Sequence, residues 1–164
     1  MARTASAHRR PPAPEAAVET LQAATSVLAG VALRSLDVLA GAVTLPQFRV
    51  LAVLADLGSA RSGQVARALG LEASTMTRLA DRLVGSGYIV RGSDPGHRGV
   101  VTLTLTQAGW ELVTRVRDQR HHELTRILTS LAPDDRSTAV RALRLLVEAA
   151  GEGYGQVSRR LVPL

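Results

Sequence analysis

The stretch Ala73-Ser74-Thr75-Met76-Thr77-Arg78-Leu79-Ala80-Asp81-Arg82-Leu83-Val84 carries the side chains best suited to chemistry. Met76, Leu79, Ala80, Leu83 and Val84 fall at the spacing of one helical face and belong against a core. Ser74, Thr75, Thr77, Arg78, Asp81 and Arg82 are left on the other side. Short hydroxyl side chains at a helix start allow close approach to a surface, and a guanidinium can donate two hydrogen bonds to the major-groove edge of guanine. The hydroxyls, with the unpaired N–H groups of a helix start, can hold phosphates. This is the chemistry of reading duplex DNA. An ordinary amphipathic helix shows the same periodicity, so the neighbouring elements must decide.

Other chemistries find little support. Cysteine is absent, which removes disulfides, thiolate catalysis, thiol redox sensing and zinc fingers. His121-His122-Glu123 suggests a metal, but adjacent helical residues point about 100° apart and chelate poorly. No Gly-rich phosphate loop, Ser/His/Asp arrangement or paired carboxylates stand out. The sequence therefore predicts neither an enzyme nor a bound cofactor or metal.

The elements around 73–84 favour the DNA reading. Thr44-Leu45-Pro46-Gln47 opens a helix in which Thr44 caps, Gln47 reaches back and Pro46 sits harmlessly in the first turn; it runs to Gly58. Ser62 is expected to cap a short helix carrying Val65 and Leu69 and stopping at Gly70. A tight turn of about four residues then leads into 73–84, which is helix-turn-helix geometry. Tyr88–Arg91 and Val100–Leu105 read as two strands, with Val101, Leu103 and Leu105 alternating with Thr102 and Thr104. Gly92-Ser93-Asp94-Pro95-Gly96 is turn chemistry, so a hairpin with a loop of about eight residues is expected. Its tip carries His97 and Arg98, and a guanidinium there can enter a narrow minor groove; a solvated turn charge is the less favoured alternative.

Long helices flank this unit. One is expected from about Glu15 to Ala40, with Val18, Leu21, Leu28, Ala32, Ser35 and Leu39 on one face. Thr106 should cap another, to about Leu131, and Pro133-Asp134-Asp135 opens a last one with acids in its first turn. The expected layout is a disordered basic arm at 1–14, a helix region at 15–43, a winged helix-turn-helix at 44–106, two helices within 107–150 and a flexible tail at 151–164. The fold class is mainly α with a small β-hairpin wing.

Bulk composition agrees. The 164 residues suit one domain with a real hydrophobic core, or one domain plus a dimerisation extension. Aromatics are confined to Phe48, Tyr88, Trp110 and Tyr154, as suits an aliphatic helical core. The formal net charge is +6, and a basic surface attracts polyanions. Arg3, Arg9 and Arg10 sit in the arm, and residues 61–98 hold six arginines against Glu72, Asp81 and Asp94. An ordinary solvated surface accounts for this charge equally well. No apolar run is expected to reach the ~20 residues of a membrane span, and no signal-peptide form is evident; a cytoplasmic protein is expected.

The chain resembles the MarR family of bacterial regulators over roughly Glu15 to Ala150. The matching stretches are Leu45-Pro46-Gln47-Phe48-Arg49-Val50-Leu51, Ser74 through Leu83, and Asp94-Pro95 through Leu105-Thr106-Gln107-Ala108-Gly109. The resemblance implies a homodimer formed by the N- and C-terminal helices and recognition of a pseudo-palindromic operator, usually in repression. It also implies a small aromatic or phenolic effector bound between the dimer helices and the DNA-binding lobe. Phe48 and Trp110 are candidates to line that site or simply to fill the core. Ser62, Gln64, Ser74, Thr75, Thr77, Arg78, Arg82, His97 and Arg98 form the candidate DNA-contacting set. A departure stands at the wing tip, where the family often has Asp-Arg-Arg and this chain has His97-Arg98-Gly99. In the family the last Arg enters the minor groove and the Asp orients it. Asp81 matches a family Asp that often pairs with that wing Arg; here Arg98 or Arg91 could serve. The competing reading is a winged-helix module that binds protein rather than specific DNA.

Overall fold

The computed structural model describes residues 13–94 and 96–161, without the side chains of 94, 97–99 and 152–161. The expected basic arm lies outside the described residues except for 13 and 14, and so do residues 162–164 of the expected tail.

The first helix, α1 (Pro14–Arg34), has proline in its first turn, Glu15 beside it and Arg34 in its last turn, each matching the helix dipole. It stops six residues short of the expected Ala40. The Ser35 hydroxyl donates to the Ala32 carbonyl at 2.6 Å, competing with the backbone ladder. From Leu36 the chain tightens into a 3-10 turn, Asp37–Leu39, and then enters left-handed backbone at Ala40 and Gly41. The stretch Pro14–Leu39 is long and apolar enough to cross a membrane by length and composition, contrary to the expectation that no run would be.

The second helix, α2 (Leu45–Leu57), starts as its sequence predicts: the Thr44 N–H donates to Gln47 Oε1 at 2.7 Å. A short strand, β1 (Ala60–Arg61), leads into α3 (Ser62–Leu69). Ser62 is the first helical residue and not the cap. Arg61 takes the cap position, its N–H donating to Gln64 Oε1 at 2.8 Å. Gly70, at φ +65, turns the chain, and Leu71 N–H returns to the Ala66 carbonyl at 2.9 Å, closing α3. The next helix, α4 (Ala73–Gly85), follows two residues later.

The strands β2 (Ile89–Asp94) and β3 (His97–Leu105) form the wing. They are longer than expected, and the loop is correspondingly shorter. Gly92 pairs with Thr102 and Ser93 with Val101, and an irregularity follows at Asp94, which pairs with His97. Local turn propensity at Gly92-Ser93-Asp94 is thus overridden by cross-strand pairing. β1 adds a third antiparallel strand, Ala60 opposite Leu103, giving the order β1-β3-β2. Two residues are too few to show an alternating pattern, so sequence periodicity misses this strand.

The fifth helix, α5 (Gln107–Thr129), is capped by Thr106, whose hydroxyl accepts from Gly109 N–H at 3.2 Å and donates to the Gly87 carbonyl at 2.7 Å. The sixth, α6 (Pro133–Leu161), is broken at Gly151 and then resumes as helix, where a loose tail is expected from 151. Arg136 joins the last two helices by donating to the Leu128 and Leu131 carbonyls.

The core gathers Phe48, Leu51 and Leu54 of α2, Val65 and Leu69 of α3, Met76, Leu79, Ala80 and Leu83 of α4, Ile89, Leu103 and Leu105 of the wing, and Leu112, Val113 and Val116 of α5. It therefore binds the helix-turn-helix and wing into one body. Among the described residues, α1 and α6 contribute no side chain to it. Val18, Leu21, Val27 and Leu28 of α1 and Val140, Leu143, Leu146 and Val147 of α6 are exposed.

Candidate nucleic-acid interface

The faces of α4 divide as the sequence predicts. Met76, Leu79, Ala80 and Leu83 are buried, while Ser74, Thr77, Arg78, Asp81 and Arg82 are exposed and Thr75 and Val84 half-buried. Burying four apolar side chains on one side fixes the rotation of the helix, and so decides which side chains face outward. Among the described residues neither Arg78 nor Arg82 has a hydrogen-bond or ion-pair partner, so both guanidinia keep their donors available. Thr77 donates its hydroxyl proton to the Ala73 carbonyl at 2.9 Å. Its oxygen can still accept, for instance from a base amino group, but it has no proton left for a phosphate. The N-cap of α4 is Glu72, which makes no side-chain capping bond, so the first N–H groups of the helix are left for an outside acceptor.

On α3, Ser62 is half-buried and Gln64 exposed. One lone pair of Gln64 Oε1 is committed to the Arg61 N–H, which leaves its amide N–H groups to donate outward. Arg67, outside the expected set, is also exposed; its Nε donates to the Gly63 carbonyl at 3.3 Å.

At the wing, His97 and Arg98 begin β3, and their side chains lie outside the described residues. Of the two arginines named for Asp81, Arg91 is paired with it, its Nη2 2.6 Å from Asp81 Oδ1. This ion pair ties α4 to β2.

The two aromatic candidates are separated in environment. Phe48 is 2% exposed within the core, whereas Trp110 is 40% exposed on the first turn of α5. An open cleft of about 660 Å³ on α5 is lined by Val38, Arg115, Asp118, Gln119, His121, His122 and Thr125, and includes neither aromatic. No group of three metal-ligating side chains occurs among the described residues.

The chain is similar in sequence and shape to known proteins. The MarR family profile matches residues 43–98, the span from the start of α2 to the wing tip. The HTH-type transcriptional regulator YfiV of Bacillus subtilis is 28% identical over 107 residues, 65% of this chain and 67% of its own length. The HTH-type transcriptional repressor MdtR of the same species is 30% identical over 118 residues, 72% of this chain and 76% of its own. The crystal structure of RV1404 from Mycobacterium tuberculosis superposes with a TM-score of 0.79 at 32% identity, covering 87% of this chain and 97% of that one.

Proposed function

The chain belongs to the MarR family of transcriptional regulators, and from that premise we propose that it binds a pseudo-palindromic DNA operator as a homodimer and represses transcription until a small effector releases it. It is a DNA-binding regulator and not an enzyme. The observation that carries the reading is the outer face of α4, where Arg78 and Arg82 stand exposed, without a partner among the described residues, beside a wing fixed to the same core. A helix presented in this way fits the major groove, with the hairpin reaching along the backbone. Ser62, Gln64, Ser74, Thr75 and Thr77 supply short polar contacts, and His97 and Arg98 the wing-tip contacts.

The exposed apolar side chains of α1 and α6 support the homodimer. Two helices with Val18, Leu21, Val27, Leu28, Val140, Leu143, Leu146 and Val147 in water form a surface that a second copy would cover. The same burial accounts for the apolar run Pro14–Leu39 in a cytoplasmic protein without a membrane. Release by an aromatic or phenolic effector requires space near the junction of α5 with the DNA-binding body. Exposed Trp110 is better placed to meet such a ligand than buried Phe48, which fills the core.

Selection of bound duplexes from a random pool tests the proposal. Enrichment of a two-fold related sequence with half-sites about one helical turn apart, ~34 Å, is expected. Salt-insensitive behaviour with no enriched sequence would favour the protein-binding module instead.

A further inference from the structure

Gly151 divides α6 into two parts. Before it, side chains 140–150 are all exposed, among them the apolar row Val140, Leu143, Leu146 and Val147 proposed to meet a second copy. At Gly151 the backbone takes φ 68 and ψ −178, a conformation essentially confined to glycine, and helix then runs on to Leu161. α6 also lies against α3, the first helix of the helix-turn-helix. Chain length says which part does so. α5 leads away from the wing for 23 residues, about 34 Å at the helical rise per residue, and α6 must cover a similar distance to regain α3. Residues 133–150 span only about 27 Å. The contact with α3 therefore belongs to the residues around and beyond Gly151.

Composition says what this distal part brings. Residues 153–164 contain Arg159 and Arg160 and no acid, and α3 itself exposes Gln64 and Arg67. We propose that the helix beyond Gly151 is a third DNA-contacting element beside α4 and the wing, meeting backbone phosphate through Arg159 and Arg160. The inference rests on the DNA-binding proposal above. Two guanidinia carried beside α3 add attraction for the duplex that is independent of its sequence. Gly151 sets their place: without its bend, α6 would continue straight and carry both arginines away from α3.

Two variants of the full-length chain separate charge from placement. Arg159→Ala with Arg160→Ala removes the charge, and the slope of log affinity against log salt should fall by about 2 per protomer, alike on selected and scrambled duplex. Gly151→Ala keeps every charge. A Cβ there meets nothing within 4 Å, so its cost lies in the backbone alone, and alanine favours the straight helix. It should lose the same part of the slope. Neither change falls in the described core, and melting temperatures check that both variants fold. The readout is anisotropy of labelled duplexes at several salt concentrations. An unchanged slope in the arginine variant overturns the proposal. A slope lost there but kept by Gly151→Ala would make the arginines a freely placed basic tail, and overturns it too. Tighter binding by either variant would make the segment a shield over the helix-turn-helix, with the same consequence. If the unaltered chain binds no duplex, the DNA-binding proposal fails first; if it binds and both variants match it, this inference alone fails.

Discussion

The guanidinium of Arg120 on α5 donates to the hydroxyl of Ser35, 3.1 Å away, at the point where α1 ends. Ser35 is fully buried and passes its own proton to the Ala32 carbonyl. The contact sets a cation against the last turn of a helix, where the dipole is negative. Burial, and then the nearby charge of Arg117, pull the Arg120 pKa below the usual arginine value; the Ser35 oxygen compensates in part, while the buried Nε of Arg120 has no partner among the described residues. Ser35→Ala removes both bonds of the hydroxyl and leaves a half-buried guanidinium less satisfied. A loss of roughly 1–3 kcal/mol is expected, readable by urea denaturation. An unchanged midpoint would show that solvent replaces the hydroxyl without cost.

Gly109 tests how tightly α5 is seated on the turn before the wing. A Cβ at this position would stand 2.2 Å from the Tyr88 carbonyl oxygen and 3.1 Å from Leu105 Cδ2. The carbonyl is backbone and is engaged by Thr106 N–H at 3.0 Å, so it cannot simply move aside. Gly109→Ala should destabilise by about 1–3 kcal/mol through overpacking, although alanine favours helix more than glycine does. A stabilised variant, as propensity alone would give, would contradict this close approach.

These two sites mark where sequence reading succeeds and where it stops. Thr106 and Thr44 announce themselves as caps because a cap and its partner lie within one turn. The two faces of α4 are legible for the same reason: the period is local. Ser35 looks like one more position on a long apolar stripe, because Arg120, which engages it, lies 85 positions away. The extent of the wing is hidden similarly. Gly92, Ser93 and Asp94 favour turns, yet strand pairing with Thr102, Val101 and His97 holds them extended. Capping of α3 shifts by one residue because Gln64 reaches the Arg61 N–H, so Ser62 loses the role its residue type suggests. The choice between Arg91 and Arg98 for Asp81 depends on distances that no spacing rule supplies.

Glu123 gives the fold an acid-sensitive point between α1 and α5. A hydrogen bond from Arg126 at 2.9 Å, with the charges of Arg126, Arg34 and His122, holds its carboxyl below the ordinary glutamate value of 4.5, against an opposing effect of burial. Arg34 Nη2 on α1 lies 3.9 Å from the same carboxylate. Because the folded pKa is depressed, the stability it contributes is fully present above 4.5 and is lost as pH falls through the folded value. Glu123→Gln should therefore flatten the acid limb of the stability profile while leaving the DNA-binding face intact. Identical acid limbs in the two proteins would remove Glu123 from the account.

Arg78 and Arg98 should differ in kind as well as degree. Arg78 is exposed and has no partner among the described residues, in the first half of α4, where a recognition helix meets base edges. Arg78→Ala should weaken binding to the selected operator by ~1–3 kcal/mol and relax the preference at one base pair in each half-site, with little change on random duplex. Arg98 begins β3 next to the hairpin turn, and a guanidinium there would meet phosphate or a narrow minor groove. Arg98→Ala should weaken binding to all duplexes alike and reduce the salt slope by about 1 for each lost phosphate contact. Titrations at several salt concentrations, against operator and scrambled duplex, separate the two effects. An operator affinity untouched by Arg78→Ala would take that residue out of the reading set. An unchanged salt slope for Arg98→Ala would mean that α4, held to the wing base by Asp81 and Arg91, meets DNA without the help of that guanidinium.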